Sequence, residues 1–128
     1  MGQGAGEVKM SDSIRNFKDL KVWQDGISLA KDVYLLCSRL PKEEMYGLSS
    51  QMKRACVSIP SNIAEGHSRN HRAEYRQFVF VAIGSLAELE TQIFLGEELN
   101  FFKSNEIQPL SEKVSKLRAM LITLGRKL

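Results

Sequence analysis

Apolar residues recur at alternating steps of three and four along four separate segments of this chain. That spacing places apolar side chains on one face of an α-helix, whereas a half-buried strand needs them at every second position. Only three prolines occur in 128 residues, too few for a turn-rich β-sandwich or barrel. The last segment has the heptad spacing of a helical bundle seam, in Leu110, Val114, Leu117, Leu121, Leu124 and Leu128. The sequence therefore predicts an all-α fold.

A capping residue marks the start of the first predicted helix, and a glycine marks the end of the second. The first runs from Leu20 to Arg39, with Asp19 as its N-cap. The second runs from Leu48 to Glu65, with Gly66 as its C-cap. Because Pro60 lies inside the second helix, where it removes one backbone hydrogen bond, we expect a kink there. The core-facing residues expected on the second helix are Leu48, Met52, Ala55, Ile59 and Ile63.

The first and third helices each carry two apolar stripes. On the first helix they are Leu20, Trp23, Ile27, Ala30, Tyr34 and Cys37, and beside them Val22, Leu29, Val33, Leu36 and Leu40. On the third helix they are Tyr75, Phe78, Ala82, Leu86, Leu89 and Ile93, and on another side Phe80, Ile83, Ala87 and Phe94. A helix that is apolar on two sides in so small a domain is either central or contacts another chain. The second stripes therefore predict self-association.

The third and fourth helices complete the predicted bundle. The third runs from His71 to Leu99, capped by Asn70 or Ser68, and the fourth from about Asn105 to Gly125. Pro109 is tolerated only near the first turn of a helix, which places the start of the fourth between Ser104 and Gln108. Four helices joined by short loops predict an antiparallel up-down-up-down bundle over residues 17–128.

Composition indicates in which cellular compartment the protein is expected. Residues 1–16 are glycine-rich and lack apolar periodicity, so we expect a flexible N-terminal tail without a secretory signal. The longest apolar stretch, Phe78–Ile83, is too short to span a bilayer, so no membrane is expected. Cys37 and Cys56 lie in apolar helical segments without a CxxC pair, which favours buried free thiols in the reducing cytoplasm.

Three segments together resemble one protein family: Phe17–Gln24 (FKDLKVWQ), Gln51–Gly66 (QMKRACVSIPSNIAEG) and Gly84–Gln92 (GSLAELETQ). They are similar to the four-helix-bundle proteins encoded in intervening sequences of 23S ribosomal RNA genes, a fold family that includes the accessory variability protein of diversity-generating retroelements. The resemblance covers nearly everything from Phe17 to Leu128 and implies a homopentamer of four-helix bundles. For the retroelement branch it also implies a basic surface that binds nucleic acid and a partner reverse transcriptase.

Basic residues collect at one end of the predicted bundle, where the first and third helices start and the second and fourth end. We call this end the basic pole; its candidate nucleic-acid-binding residues are Lys18, Lys21, Arg69, Arg72, Arg76, Arg126 and Lys127. The opposite end gathers Glu43, Glu44, Glu97, Glu98, Glu106 and Glu112. Helical steps of three and four relate three of the arginines, a row of guanidinium groups suited to phosphates. The other interpretation is that these arginines simply form a solvated helix end. A ring of subunits would favour phosphate binding instead, because it repeats the basic pole on one face.

The polar segment around Pro60 has two interpretations. It is either a recognition notch with unpaired carbonyl groups, or a structural element in which Ser58 and Asn62 satisfy backbone groups that the proline leaves free or form hydrogen bonds within the bundle. Candidate structural or interface residues are Trp23, Ser58, Pro60, Asn62 and Glu88.

No catalytic, cofactor or metal site is expected. Glu88 and Glu90 lie beside apolar neighbours, but no base, nucleophile and orienting group can be assembled around them. Their expected partners on the second helix are Lys53 and Arg54. His67 and His71 have a spacing that could hold zinc on a continuous helix, but the predicted cap between them indicates a loop.

These features predict a cytoplasmic, non-enzymatic homo-oligomer, a pentamer by resemblance, without a small-molecule substrate. It would be an accessory scaffold that binds RNA or a nucleoprotein partner, such as a reverse transcriptase, through the basic pole. The alternative is a protein-interaction scaffold without nucleic-acid affinity, whose basic pole only aids solubility.

Overall fold

Four α-helices and no strands make up residues 16–128, the part of the chain that the computed structural model describes. The helices are α1 (Lys21–Cys37), α2 (Leu48–Ser68), α3 (Arg72–Glu98) and α4 (Ser104–Lys127). Short 3-10 turns at Phe17–Asp19 and Lys42–Glu44 precede α1 and α2. The all-α prediction is confirmed. The predicted tail falls on residues 1–16, all of which except Asn16 lie outside the described residues.

Each helix packs against two others, so that α1 contacts α2, α2 contacts α3, α3 contacts α4, and α4 contacts α1. All four helices contribute fully buried side chains to one apolar core; the largest are Leu29, Met52, Ile59, Ile63, Leu86, Leu89, Leu117 and Leu121. Burying such a side chain stabilises the fold by about 1.5–3 kcal/mol. Core packing of these faces, more than intrinsic helix propensity, therefore holds the helices in place.

The apolar spacing correctly identified the core faces of α2 and α4, and on α1 and α3 it gave two stripes each without saying which enters the core. The stripes predicted on α2 and α4 are buried, apart from partly exposed positions in the last turn of α4. On α1 the buried stripe is the one containing Leu29 and Val33, whereas Tyr34 of the other stripe is exposed. On α3 the stripe containing Leu86 and Leu89 is buried and most of the second stripe is exposed. Two apolar surfaces therefore remain outside the core of a single chain.

The start of α1 differs from the prediction. Asp19 belongs to the 3-10 turn, and the N-cap position is Leu20, which has no side-chain capping bond. The side chain of Asn16 caps the turn instead, because its Oδ1 accepts a hydrogen bond from the backbone N–H of Lys18 at 2.8 Å. Propensity alone favoured Asp19 as a cap, but the extra turn shifts the start of the helix to Lys21.

The predicted cap at Gly66 is also wrong, because α2 continues through it to Ser68. A Cβ at position 66 would lie 2.7 Å from Cβ of Phe78 on α3, so this glycine permits close contact between two helices. The left-handed residue after α2 is Asn70, with a φ of 57°. Neither Asn70 nor Ser68 caps α3, whose N-cap residue is His71 and has no side-chain capping bond.

A Schellman turn ends α3 and leads into α4. Asn100 adopts the left-handed conformation with a φ of 64°. The N–H of Asn100 donates to the carbonyl of Glu97, and the N–H of Phe101 donates to that of Gly96, both at 2.9 Å. The helix α4 then begins at Ser104, inside the predicted interval, and Pro109 lies in its second turn.

By length and composition, α3 is the one helix among residues 16–128 that could cross a membrane. A third (33%) of its most apolar segment is buried inside the structure, and the core helix of a soluble protein passes the same test. The finding is weak evidence for a membrane, and it reflects the two apolar sides of the helix.

Candidate nucleic-acid interface

Contacts between helix ends bring several members of the basic pole together. The guanidinium of Arg72, in the first turn of α3, donates a hydrogen bond to the main-chain carbonyl of Lys127 at the end of α4. Lys127 also lines a shallow groove with Val22 of α1. The turn that contains Lys18 contacts both α1 and α2. The start of α3, the end of α4 and the start of α1 therefore lie close to one another.

Arg69 lies on the C-cap of α2, not on α3, so the turn at Asn70 interrupts the predicted row of arginines. Its guanidinium lies 2.8 Å from a carboxylate oxygen of Glu65 and 3.7 Å from one of Glu74. The hydrogen bond to Glu65 raises the pKa of Arg69 above its usual value. The same guanidinium lies 5.3 Å from the centre of the Phe78 ring, a cation–π distance.

Arg76 is exposed on α3, and its guanidinium lies 5.4 Å from the centre of the Phe80 ring. Lys21 forms an ion pair with Asp25 at 2.6 Å. Within residues 16–128, the basic-pole members without an ion pair are Lys18, Arg72, Arg76, Arg126 and Lys127. Their charges are therefore available to an anionic partner.

The polar segment of α2 forms its hydrogen bonds inside the structure. The amide nitrogen of Asn62 donates to the carbonyl oxygen of Ser58 at 2.7 Å and to its hydroxyl at 2.9 Å. The Ser58 hydroxyl also lies 2.8 Å from the hydroxyl of Ser85 on α3. Pro60 is buried against Gly26 of α1. The contact between Ser58 and Ser85 joins α2 to α3 within the bundle, whereas the Asn62 amide bonds to Ser58 and not to the Cys56 carbonyl, which Pro60 leaves without its helical donor.

The glutamates of α3 do not form the ion pairs expected from the sequence. Both Glu88 and Glu90 are exposed, and Glu90 pairs with Arg118 on α4. The ammonium of Lys53 instead lies 5.0 Å from the centre of the Tyr34 ring. The expectation was wrong because helical periodicity places a residue on a face without identifying the neighbouring helix on that side.

The two histidines lie on different elements. His67 is inside α2 and makes an edge contact with Tyr75, with ring centres 5.6 Å apart, while His71 is the N-cap residue of α3. The described part of the chain contains no group of three or more metal-ligating side chains. Burial raises the pKa of the Tyr75 hydroxyl.

Both cysteines are buried and unpaired by disulfides. Burial raises the pKa of the Cys56 thiol to about 11, so the group stays protonated near neutral pH. Burial raises the pKa of Cys37 as well. Because the thiolate is the reactive form, neither group is a good nucleophile in this fold.

Two exposed apolar surfaces also stand out. The α1–α2 groove is lined by Ile27, Ala30, Lys31, Tyr34, Leu35 and Val57. The α3 outer face comprises Phe80, Val81, Ala87, Phe94 and Leu95. The predicted stripes contained some of these residues but missed Leu35, Val57, Val81 and Leu95, which are exposed beside the stripes and enlarge the apolar surfaces. A complete helical projection of each segment, rather than a single stripe, would have found them.

Trp23 is half-buried and packs its ring edge on Phe17, at 5.4 Å between ring centres.

Comparison with known proteins identifies the family. The family model described as 23S rRNA-intervening sequence protein matches residues 18–123, which include all of α1, α2 and α3 and most of α4. Among curated proteins, no match is found. The family match agrees with the four-helix fold and with the resemblance carried by the three sequence segments. The chain therefore belongs to the family of 23S rRNA-intervening sequence proteins.

Proposed function

We propose that this protein acts by binding rather than catalysis, as a homo-oligomer of antiparallel four-helix bundles that binds RNA through the basic pole. The observation that carries the proposal is the group of five basic-pole side chains without an ion pair within residues 16–128. A pentamer is the assembly that the family resemblance implies. A nucleoprotein partner such as a reverse transcriptase would engage the same surface.

Contacts at both ends of the helices support the antiparallel arrangement. At one end, Arg72 near the start of α3 bonds to Lys127 near the end of α4. At the other end, Arg39 just after α1 pairs with Glu106 in the first turn of α4. Gly66 near the end of α2 is likewise in close contact with Phe78 in the first part of α3.

Assembly strengthens the case for RNA. Each phosphate neutralised by Lys or Arg releases condensed counterions, and log K falls with log salt by about 0.7–0.9 per phosphate. The basic pole of one subunit can reach only a few phosphates. Several poles on one face of an oligomer reach more phosphates of the same RNA, so their contributions combine.

The test replaces three arginines of the basic pole by glutamine, at Arg69, Arg72 and Arg76. All three side chains are exposed, and exposed charge pairs contribute about 0–1 kcal/mol, so folding and assembly should remain nearly unchanged. Affinity for structured RNA should fall by about tenfold or more, and its salt dependence should become shallower. Filter-binding titrations at two salt concentrations measure both quantities.

The matched control removes the same charge elsewhere, by replacing the exposed Lys42, Lys103 and Lys116 with glutamine. RNA affinity of this variant should stay close to that of the wild type. Equal affinity of the two triple variants would contradict a role for the basic pole. Absence of measurable binding by the wild type at low salt would favour the protein-interaction scaffold.

A further inference from the structure

The α3 outer face is an apolar surface that a single chain leaves uncovered. Phe94 is 62% exposed and Phe80 is 50% exposed, with Val81 and Leu95 also exposed between and beside them. Gly84 in the middle of this face has no neighbouring atom within 4 Å of the position that a Cβ would occupy. Large apolar patches of this kind are typical of surfaces that another molecule covers.

The α1–α2 groove is a second uncovered apolar surface on other helices. Leu35 is 71% exposed at one side of it, and Val57 of α2 lines the other. Ile27 and Ala30 form part of its floor and are only half-buried. A shallow surface lined mostly by apolar side chains can receive a helix face with exposed aromatic rings.

The charges around these two surfaces are mostly opposite in sign, with Arg76, which lies over Phe80 at the start of the α3 outer face, as the exception. The stretch from Phe78 to Phe102, which contains most of the α3 outer face, has no Lys or Arg. Its exposed Glu88 and Glu98 have no ion pair in the part of the chain that the structure describes. Beside the groove, Lys31 and Arg54 are exposed and likewise unpaired within residues 16–128.

We propose that the α3 outer face of one copy of this chain docks into the α1–α2 groove of a second copy. This head-to-tail contact rests on the homo-oligomer of the proposed function and specifies how its subunits meet. It covers both apolar surfaces and brings Glu88 and Glu98 towards Lys31 in the groove and Arg54 beside it. A symmetric contact between two α3 outer faces would gather like charges and leave both grooves uncovered. Because the two surfaces differ, every added copy leaves one of each free, and assembly continues until a ring closes.

The test uses two variants that each damage one surface. Phe94→Glu places a charge on the α3 outer face, and Leu35→Glu places one in the α1–α2 groove. Both positions are exposed, so each variant should fold, which circular dichroism and thermal unfolding verify. Alone, each variant should sediment as a monomer at micromolar concentration. An equimolar mixture should form a heterodimer and nothing larger, because only one intact groove and one intact outer face remain to meet.

Asn105→Glu is the matched control, since it adds the same charge at an exposed position in the first turn of α4, which belongs to neither surface and lies at the other end of the helix from Lys127. This variant should assemble like the wild type. Normal assembly of either damaged variant, or a mixture that stays monomeric, would overturn the head-to-tail contact. A monomeric wild type would overturn both the contact and the oligomer. A wild type that assembles as expected but fails to bind RNA would contradict the proposed function alone.

Discussion

Gly66 and Gly84 are both inside helices, but their surroundings are opposite. At Gly66 a Cβ would meet Cβ of Phe78 at 2.7 Å and the carbonyl oxygen of Tyr75 at 3.3 Å. At Gly84 no atom lies within 4 Å. The first glycine is therefore required by the packing of α2 on α3, whereas the second is unconstrained within one subunit. Sequence alone does not distinguish them, because both are glycines in an apolar periodic segment.

Alanine at the two positions should change stability in opposite directions. Gly66→Ala gains about 1 kcal/mol of helix propensity but forces α2 and α3 apart, and overpacking costs about 1–3 kcal/mol. We expect its free energy of unfolding to fall by up to about 2 kcal/mol, because the clash involves atoms fixed to the backbone. Denaturant unfolding in the Phe94→Glu background measures the change without a contribution from assembly.

Gly84→Ala in the same background is the control. It gains the helix propensity without meeting another atom, so the free energy of unfolding should rise by about 1 kcal/mol. A stabilising Gly66→Ala would show that the contact between α2 and α3 is looser than the structure has it.

At the scale of elements, apolar spacing predicted which segments are helices and which residues fill the core, since burial decides both. It predicted where α2 and α4 begin but not the caps of α1 and α3, because Asp19, Asn70 and Ser68 do not form the capping bonds that their side chains favour. At the start of α4 the capping contact runs the other way, from the N–H of Lys103 to the carboxylate of Glu106 at 2.8 Å. Apolar spacing likewise did not predict the ion pairs on the surface, such as that between Arg118 and Glu90, because these depend on which helices are neighbours.

Pro60 gives a test of packing within one element. It lies inside α2 and is buried, and a Cβ on Gly26 of α1 would lie 3.5 Å from its own Cβ. Pro60→Ala restores a backbone N–H donor but removes ring atoms from this contact. It also increases the conformational entropy of the unfolded chain, which lowers stability. We expect the free energy of unfolding to stay unchanged or to fall. Urea unfolding of the variant measures it.

Ser61→Ala is the neighbouring control. Ser61 is exposed, so its replacement tests helix propensity alone and should raise stability by a few tenths of a kcal/mol. If Pro60→Ala gained about 1 kcal/mol and kept its assembly, the proline would have no structural role in the packing of α1 on α2.

At the scale of the whole molecule, assembly should determine how strongly RNA binding responds to salt. A monomer presents one basic pole and an oligomer several, so the oligomer neutralises more phosphates in each complex. The monomeric Phe94→Glu variant should therefore show a shallower dependence of log K on log salt than the wild type. Asn105→Glu, which carries the same added charge away from the basic pole, should keep the wild-type slope. Identical slopes for all three proteins would mean that single subunits bind independently.

Arg76 belongs to both surfaces, since its guanidinium lies over the ring of Phe80, a residue of the α3 outer face. A neighbouring subunit that covers Phe80 would restrict this guanidinium before any phosphate arrives. RNA held by Arg76 would in turn restrict the ring that the neighbour must cover. Linkage makes such an effect reciprocal, so that assembly changes RNA affinity by the same factor by which RNA changes the affinity between subunits. One stacked pair of side chains would then make the protein a sensor in which RNA concentration sets the degree of assembly.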